Sequence, residues 1–112
     1  MTERTFPGEL EQMVLLAVAR LGEEAYALEI IRELERRATR QVSRGSLYKT
    51  LDRMETKGLV CWDAEAATPS RGGHLRRRFS ITPEGVSTLK MSRDALHNLW
   101  DGLEPLLGES TR

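Results

Sequence analysis

The chain has 112 residues, enough for one compact domain and too few for two. Its 39% hydrophobic and 30% charged residues exclude the collagen-like and disordered classes and point to a soluble, folded chain. Seventeen basic and seventeen acidic side chains cancel overall but not locally, since residues 1–35 carry −5, residues 36–78 carry +7 and residues 79–112 carry −2.

The first predicted element is a helix over about residues 8–21, in which Leu10, Met13, Val14, Ala17, Val18 and Leu21 recur at the spacing of one helical face. Leu15 and Leu16 fall off that stripe, so this helix is expected to pack on two sides, one of them open to another subunit. A second helix, over about 25–37, is marked by Gly22 as a stop, by Glu23 and Glu24 at its positive end, and by Tyr26, Ala27, Ile30, Ile31 and Leu34 on its buried side. Ser43 then stands as the N-cap of a third helix, over about 43–57, with Leu47, Leu51 and Met54 inward and Gly58 closing it. Two strands follow, about 59–65 and 77–81, joined by a loop holding Pro69, Gly72 and Gly73. Cys61 is expected to be buried in the first of them. Thr82-Pro83-Glu84 supplies an N-cap, a proline at the first helical position and an acid in the first turn, so the fourth helix has a well-marked start. Gly102 and Pro105 are expected to end or kink it near Glu104.

The order helix, helix, helix, strand, basic loop, strand, helix is that of a winged helix-turn-helix over residues 1–82, followed by a C-terminal dimerisation helix and tail over 83–112. The fold class is thus mainly α with a small β-hairpin. In such a layout the third helix enters the major groove of DNA with its N-terminal half leading. Its outward face holds Gly45, Ser46, Lys49, Asp52 and Arg53, with Tyr48 at the flank, and Ser43 and Arg44 sit where the helix N-terminus meets a phosphate. The hairpin loop is sharper still, since Arg71, Gly72, Gly73, His74, Arg76, Arg77 and Arg78 bring four arginines into eight residues, suited to a phosphate backbone or a narrow minor groove. Strand alternation puts Arg77 on the face of Phe79, opposite Arg76 and Arg78, which suits a structural role for Arg77.

On the fourth helix Leu89, Leu96, Leu99, Leu103 and Leu106 follow a heptad seam with Ser92 in the gap, and Trp100 lies beside it. So short a chain has little with which to cover that seam, which makes these leucines and Trp100 the expected homodimer contact. Trp100 is also the candidate plate for a flat aromatic or cationic effector, although aromatic residues at this spacing more often serve plain packing.

Other classes are weaker. His74 and His97 lie in different segments, and no nucleophile elbow, phosphate loop or carboxylate pair suggests an enzyme or a bound cofactor. One cysteine and two histidines offer few ligands for a metal sensor, His97 with Asp94 or Asp101 being the nearest approach to a site. A protein-interaction module that uses this fold without DNA is separated from a DNA binder only by the basic middle. The single cysteine and the lack of a long apolar run suit a reducing, cytoplasmic setting away from membranes.

Several spaced motifs in order carry a family resemblance: Ser43 to Leu51, Met54-Glu55, Lys57 to Val60, Arg71-Gly72-Gly73 with the arginines after it, and Ile81 to Gly85. Together they resemble the PadR family of transcriptional regulators, in its short form with one C-terminal helix. The resemblance implies a winged helix-turn-helix, a homodimer made largely through the C-terminal helix, and repression of nearby genes. Arg44 and Lys49 stand where the family often has proline, which adds two cations to the expected DNA face. Ala27 and Leu28 replace its usual Gly-Tyr pair.

Overall fold

The computed structural model describes residues 6–65 and 76–109. Helix α1 (Glu9–Leu21) buries Val14, Leu15 and Val18, while Leu16 stays half exposed. Glu23 and Glu24, expected to open the second helix, instead form a short 3-10 turn over Gly22–Glu24, and α2 (Ala27–Ala38) starts after it. Ile30 and Leu34 of α2 sit against α1, and Thr39 closes the helix in the left-handed region. Helix α3 (Arg44–Thr56) begins where Ser43 was expected to cap it: the Ser43 hydroxyl accepts a hydrogen bond from the Ser46 N–H at 3.1 Å. Leu47, Leu51 and Met54 are fully buried and form the floor of the three-helix core.

Strands β1 (Val60–Glu65) and β2 (Arg76–Ile81) pair antiparallel, with Val60 opposite Ile81 and Glu65 opposite Arg76. Phe79, one of the largest fully buried side chains, plugs the hairpin into the helices, and its N–H donates to the Ala25 carbonyl at 2.9 Å. The base of the hairpin is therefore held both by the core and by the segment leading into α2. Cys61, expected to be buried, is exposed. With only two strands, the sheet has one face against the helices, and Cys61 alternates onto the other.

Helix α4 (Pro83–Trp100) starts on a tight junction with the end of α3. The Thr82 hydroxyl accepts from the Gly85 N–H and donates to the Gly58 carbonyl at 2.6 Å, so one side chain caps α4 and ties it to the turn after α3. Gly85 has to be glycine, because a Cβ there would lie 2.3 Å from the Leu59 carbonyl oxygen. The first half of α4 packs on the body through Leu89 and the buried Ser92, whereas every residue from Leu96 to Trp100 is exposed. The helix ends at Trp100, earlier than expected: Asp101 is no longer helical, Gly102 has a φ of 83°, and Glu104–Leu107 form a separate 3-10 turn. Leu103 and Leu106 therefore lie beyond the helix whose seam they were expected to continue. Among the described residues no helix is long and apolar enough to cross a membrane.

Candidate nucleic-acid interface

The N-terminal half of α3 projects from the core because its inner face is held so firmly. Besides the three buried apolar residues, Thr50 turns inward and donates to the Ser46 carbonyl at 2.9 Å, so this stretch cannot rotate without losing its floor. Ser43, Arg44, Gly45, Ser46 and Lys49 are left exposed on the opposite side, with Tyr48 half-buried at the flank. Arg44 and Lys49 make no ion pair among the described residues. Arg44 lies in the first turn of α3, where the helix N–H groups also favour a phosphate, with Lys49 in the turn after it.

The C-terminal half of α3 behaves differently. Arg53 Nε lies 3.4 Å from Glu11 Oε2 and Lys57 Nζ 3.2 Å from both oxygens of the same carboxylate, on α1. Burial pushes the Glu11 carboxyl up, but the Lys57 ammonium, the Gly8 N–H and the Arg53 guanidinium outweigh it and hold the group below the usual carboxylate range. Arg53, expected on the DNA face, is thus drawn back toward α1, with its side chain still 56% exposed. A second buried acid, Glu33, gathers Arg36, Arg20 at 3.2 Å and Arg37 at 2.8 Å. Its carboxyl is held low first by the Arg36 hydrogen bond, against the opposing effect of burial. Neither acid was singled out by sequence reasoning. The signal for Glu33 was present in Arg36 and Arg37 three and four residues on; Glu11 has a local partner only in the Gly8 N–H, and its two cations lie more than forty positions away.

Arg71, Gly72, Gly73 and His74, at the tip of the expected wing, lie outside the described residues. The three arginines at its base are all engaged. Arg76 pairs with Glu65 at 3.3 Å directly across the strands, and its guanidinium lies 3.6 Å from the centre of the Tyr26 ring. Arg78 makes two contacts to its register partner Asp63, at 3.2 and 3.4 Å. Arg77 lies on the other face, 4.6 Å from the centre of the Trp62 ring and 3.9 Å from Asp52 of α3. A cleft of about 550 Å³ opens between the start of α2, α3 and the hairpin, lined by Leu28, Arg44, Tyr48 and Arg76 among others.

These elements place cations that pair with no acid among the described residues on the exposed first half of a helix, beside an arginine-bearing hairpin, on a mostly helical body. The chain matches the Transcriptional regulator PadR-like family over residues 15–91. The chain belongs to that family. PadR-like proteins are transcriptional regulators rather than enzymes, and membership makes DNA-binding regulation the work of this chain. Solved PadR-like structures agree with the fold. A PadR-like transcription factor from Bacteroides fragilis is 27% identical with a TM-score of 0.72, covering 87% of this chain and 88% of that one. A PadR-like regulator from Bacillus cereus is 26% identical with a TM-score of 0.69, over 90% and 93%. A PadR family regulator from Eggerthella lenta is 26% identical with a TM-score of 0.66, over 91% and 88%. No curated protein matches the chain.

The expected dimer residues are divided by the structure. Leu89 is half-buried on the chain's own core, whereas Leu96, Leu99 at 73% exposure, Trp100 at 44%, Leu103 and Leu106 all present apolar surface to solvent. Asp94, one arm of the weighed metal site, is held by Arg93 at 2.9 Å and Lys90 at 3.7 Å. The Arg93 hydrogen bond keeps its carboxyl below the usual range. Among the described residues no group of three metal-ligating side chains converges.

Proposed function

We propose that this PadR-like regulator is a cytoplasmic repressor that binds operator DNA as a homodimer and is released by a small effector. The observation that carries the reading is that, among the described residues, Arg44 and Lys49 on the exposed half of α3 have no acid partner while most other cations are held by acids. Ser43, Arg44, Gly45, Ser46, Tyr48 and Lys49 enter the major groove. The wing, with Arg71, Gly72, Gly73, His74, Arg76 and Arg78, follows the adjacent backbone. Arg53, Arg76 and Arg78 are weaker members of the contact set than Arg44 and Lys49, because DNA has to compete with Glu11, Glu65 and Asp63 for them.

The exposed apolar end of α4 supports the homodimer. Leu96, Leu99, Trp100, Leu103, Leu106 and Leu107 are six large apolar residues left exposed along the end of α4 and the turn after it, and such clusters mark protein contacts. A second copy that covers them also fixes the distance between two α3 helices, and so the spacing of the operator half-sites. In this reading Trp100, exposed at the end of α4, offers its ring to a planar aromatic or cationic effector held at that contact.

The deciding experiment is selection of bound fragments from genomic DNA by the purified chain, followed by footprinting and sedimentation. The expected result is one protected, two-fold symmetric site occupied by two chains. Retention of all fragments alike, or binding by single chains, overturns the operator reading. Leu99→Lys in the same sedimentation assay is expected to yield monomers.

A further inference from the structure

Arg77 differs from its neighbours in where it points. Arg76 and Arg78 each meet their own cross-strand partner, Glu65 and Asp63, and Arg76 also stacks on Tyr26 ahead of α2, but neither pairs with α3 among the described residues. Arg77 faces Ala64, a side chain too short to meet it. Its guanidinium folds diagonally onto the Trp62 ring at 4.6 Å and leans toward α3, where the Tyr48 ring centre lies 5.8 Å away and the Asp52 carboxylate 3.9 Å away. Tyr48 and Asp52 are one turn apart on α3, on the side next to the hairpin. Among the described residues Arg77 is thus the one wing arginine with contacts on both the hairpin and the groove-facing helix.

We propose that Arg77 is a positioning residue, a clasp whose planar cation joins Trp62 of the hairpin to Asp52 of α3 and sets the angle of the wing rather than meeting a DNA phosphate. A guanidinium can stack on a ring and reach a carboxylate at once, which a lysine ammonium cannot reproduce. The wing of an unclasped protein keeps its arginines but loses their alignment with the groove that α3 occupies. The DNA part of this proposal rests on the operator reading; the clasp itself exists in the free protein.

The test uses the full chain labelled with 5-fluorotryptophan, whose two tryptophans give two fluorine resonances, assigned by Trp62→Phe. In free protein, Arg77→Lys, Arg77→Gln and Asp52→Asn are each expected to move the Trp62 resonance and leave the Trp100 resonance in place. An unmoved Trp62 resonance in Arg77→Gln overturns the clasp, whether or not the protein binds an operator. On the footprinted site, Arg77→Lys and Arg77→Gln are expected to weaken binding equally, by about three- to tenfold, at every salt concentration. The slope of affinity against salt stays at the wild-type value. If Arg77→Lys binds like wild type while Arg77→Gln flattens the slope by about one, Arg77 is a phosphate contact and the proposal fails. If the wild-type chain selects no site, the operator reading fails and the fluorine shifts still decide the clasp.

Discussion

The two ends of α3 carry the same kind of charge and use it in opposite ways. Toward the N-terminus Arg44 and Lys49 are exposed and make no ion pair among the described residues; near the C-terminus Arg53 and Lys57 share one buried carboxylate on α1. The first pair costs the fold little and is available to a ligand, because no ion pair among the described residues has to be given up when it binds. The second pair fastens the helix to the body, and a phosphate that recruits it leaves Glu11 buried without its partners. A count of basic residues along the chain does not distinguish these two uses.

The sharpest way to test the difference is to remove one cation from each end. Lys49→Ala is expected to weaken operator binding by about 1 to 3 kcal/mol, and Arg44→Ala to lower affinity and reduce the salt slope by about one, both read by titration at several salt concentrations. Neither is expected to change the thermal midpoint appreciably. Glu11→Ala inverts the pattern: about 1 to 2 kcal/mol of stability is lost in urea unfolding, since two cations lose their anchor together with a cap on the first turn of α1. Arg53→Ala is expected to cost less, about 0.5 kcal/mol of stability, because its side chain is half exposed and Lys57 remains on Glu11. An Arg53→Ala variant that stays as stable as wild type yet loses operator binding as Lys49→Ala does would erase the distinction between the two ends.

The smallest effect is that of pH. Glu11 and Glu33 both have folded pKa values below the ordinary carboxylate value. The unfolded chain therefore takes up protons first as pH falls, and the stability these groups add is full above about pH 4.3 and lost as pH drops through their folded values. The melting temperature is expected to be flat with respect to these two acids from pH 7 to 5 and to fall below that. Glu11→Gln is expected to start lower and show a shallower acid limb.

Much of the fold was legible because it rests on local rules. Helix periodicity placed α1 and α3, Ser43 capped α3 as its position implied, and Thr82-Pro83 opened α4. The site was legible only in part. The outward face of α3 follows from the wheel once Leu47, Leu51 and Met54 are taken as core. That Arg53 leaves that face for Glu11, and that Arg77 reaches Asp52 while Arg76 and Arg78 do not, depends on side chains brought together from distant parts of the chain. The seam of α4 shows the same limit: the leucine spacing is a property of the sequence, but Leu89 lies on the body and Leu96 and Leu99 lie past it.

The sequence by itself determined the element order, the Ser43 and Thr82 caps, the inward face of α3 and the family, since each depends on residues a few positions apart or on motifs in linear order. The tertiary structure alone decided which positive charges are free, because a charge is neutralised by whatever the fold places within a few ångströms of it. It also decided how much of α4 the body could cover. Leu89 and Ser92 lie against the body, and the residues from Leu96 to Trp100 do not.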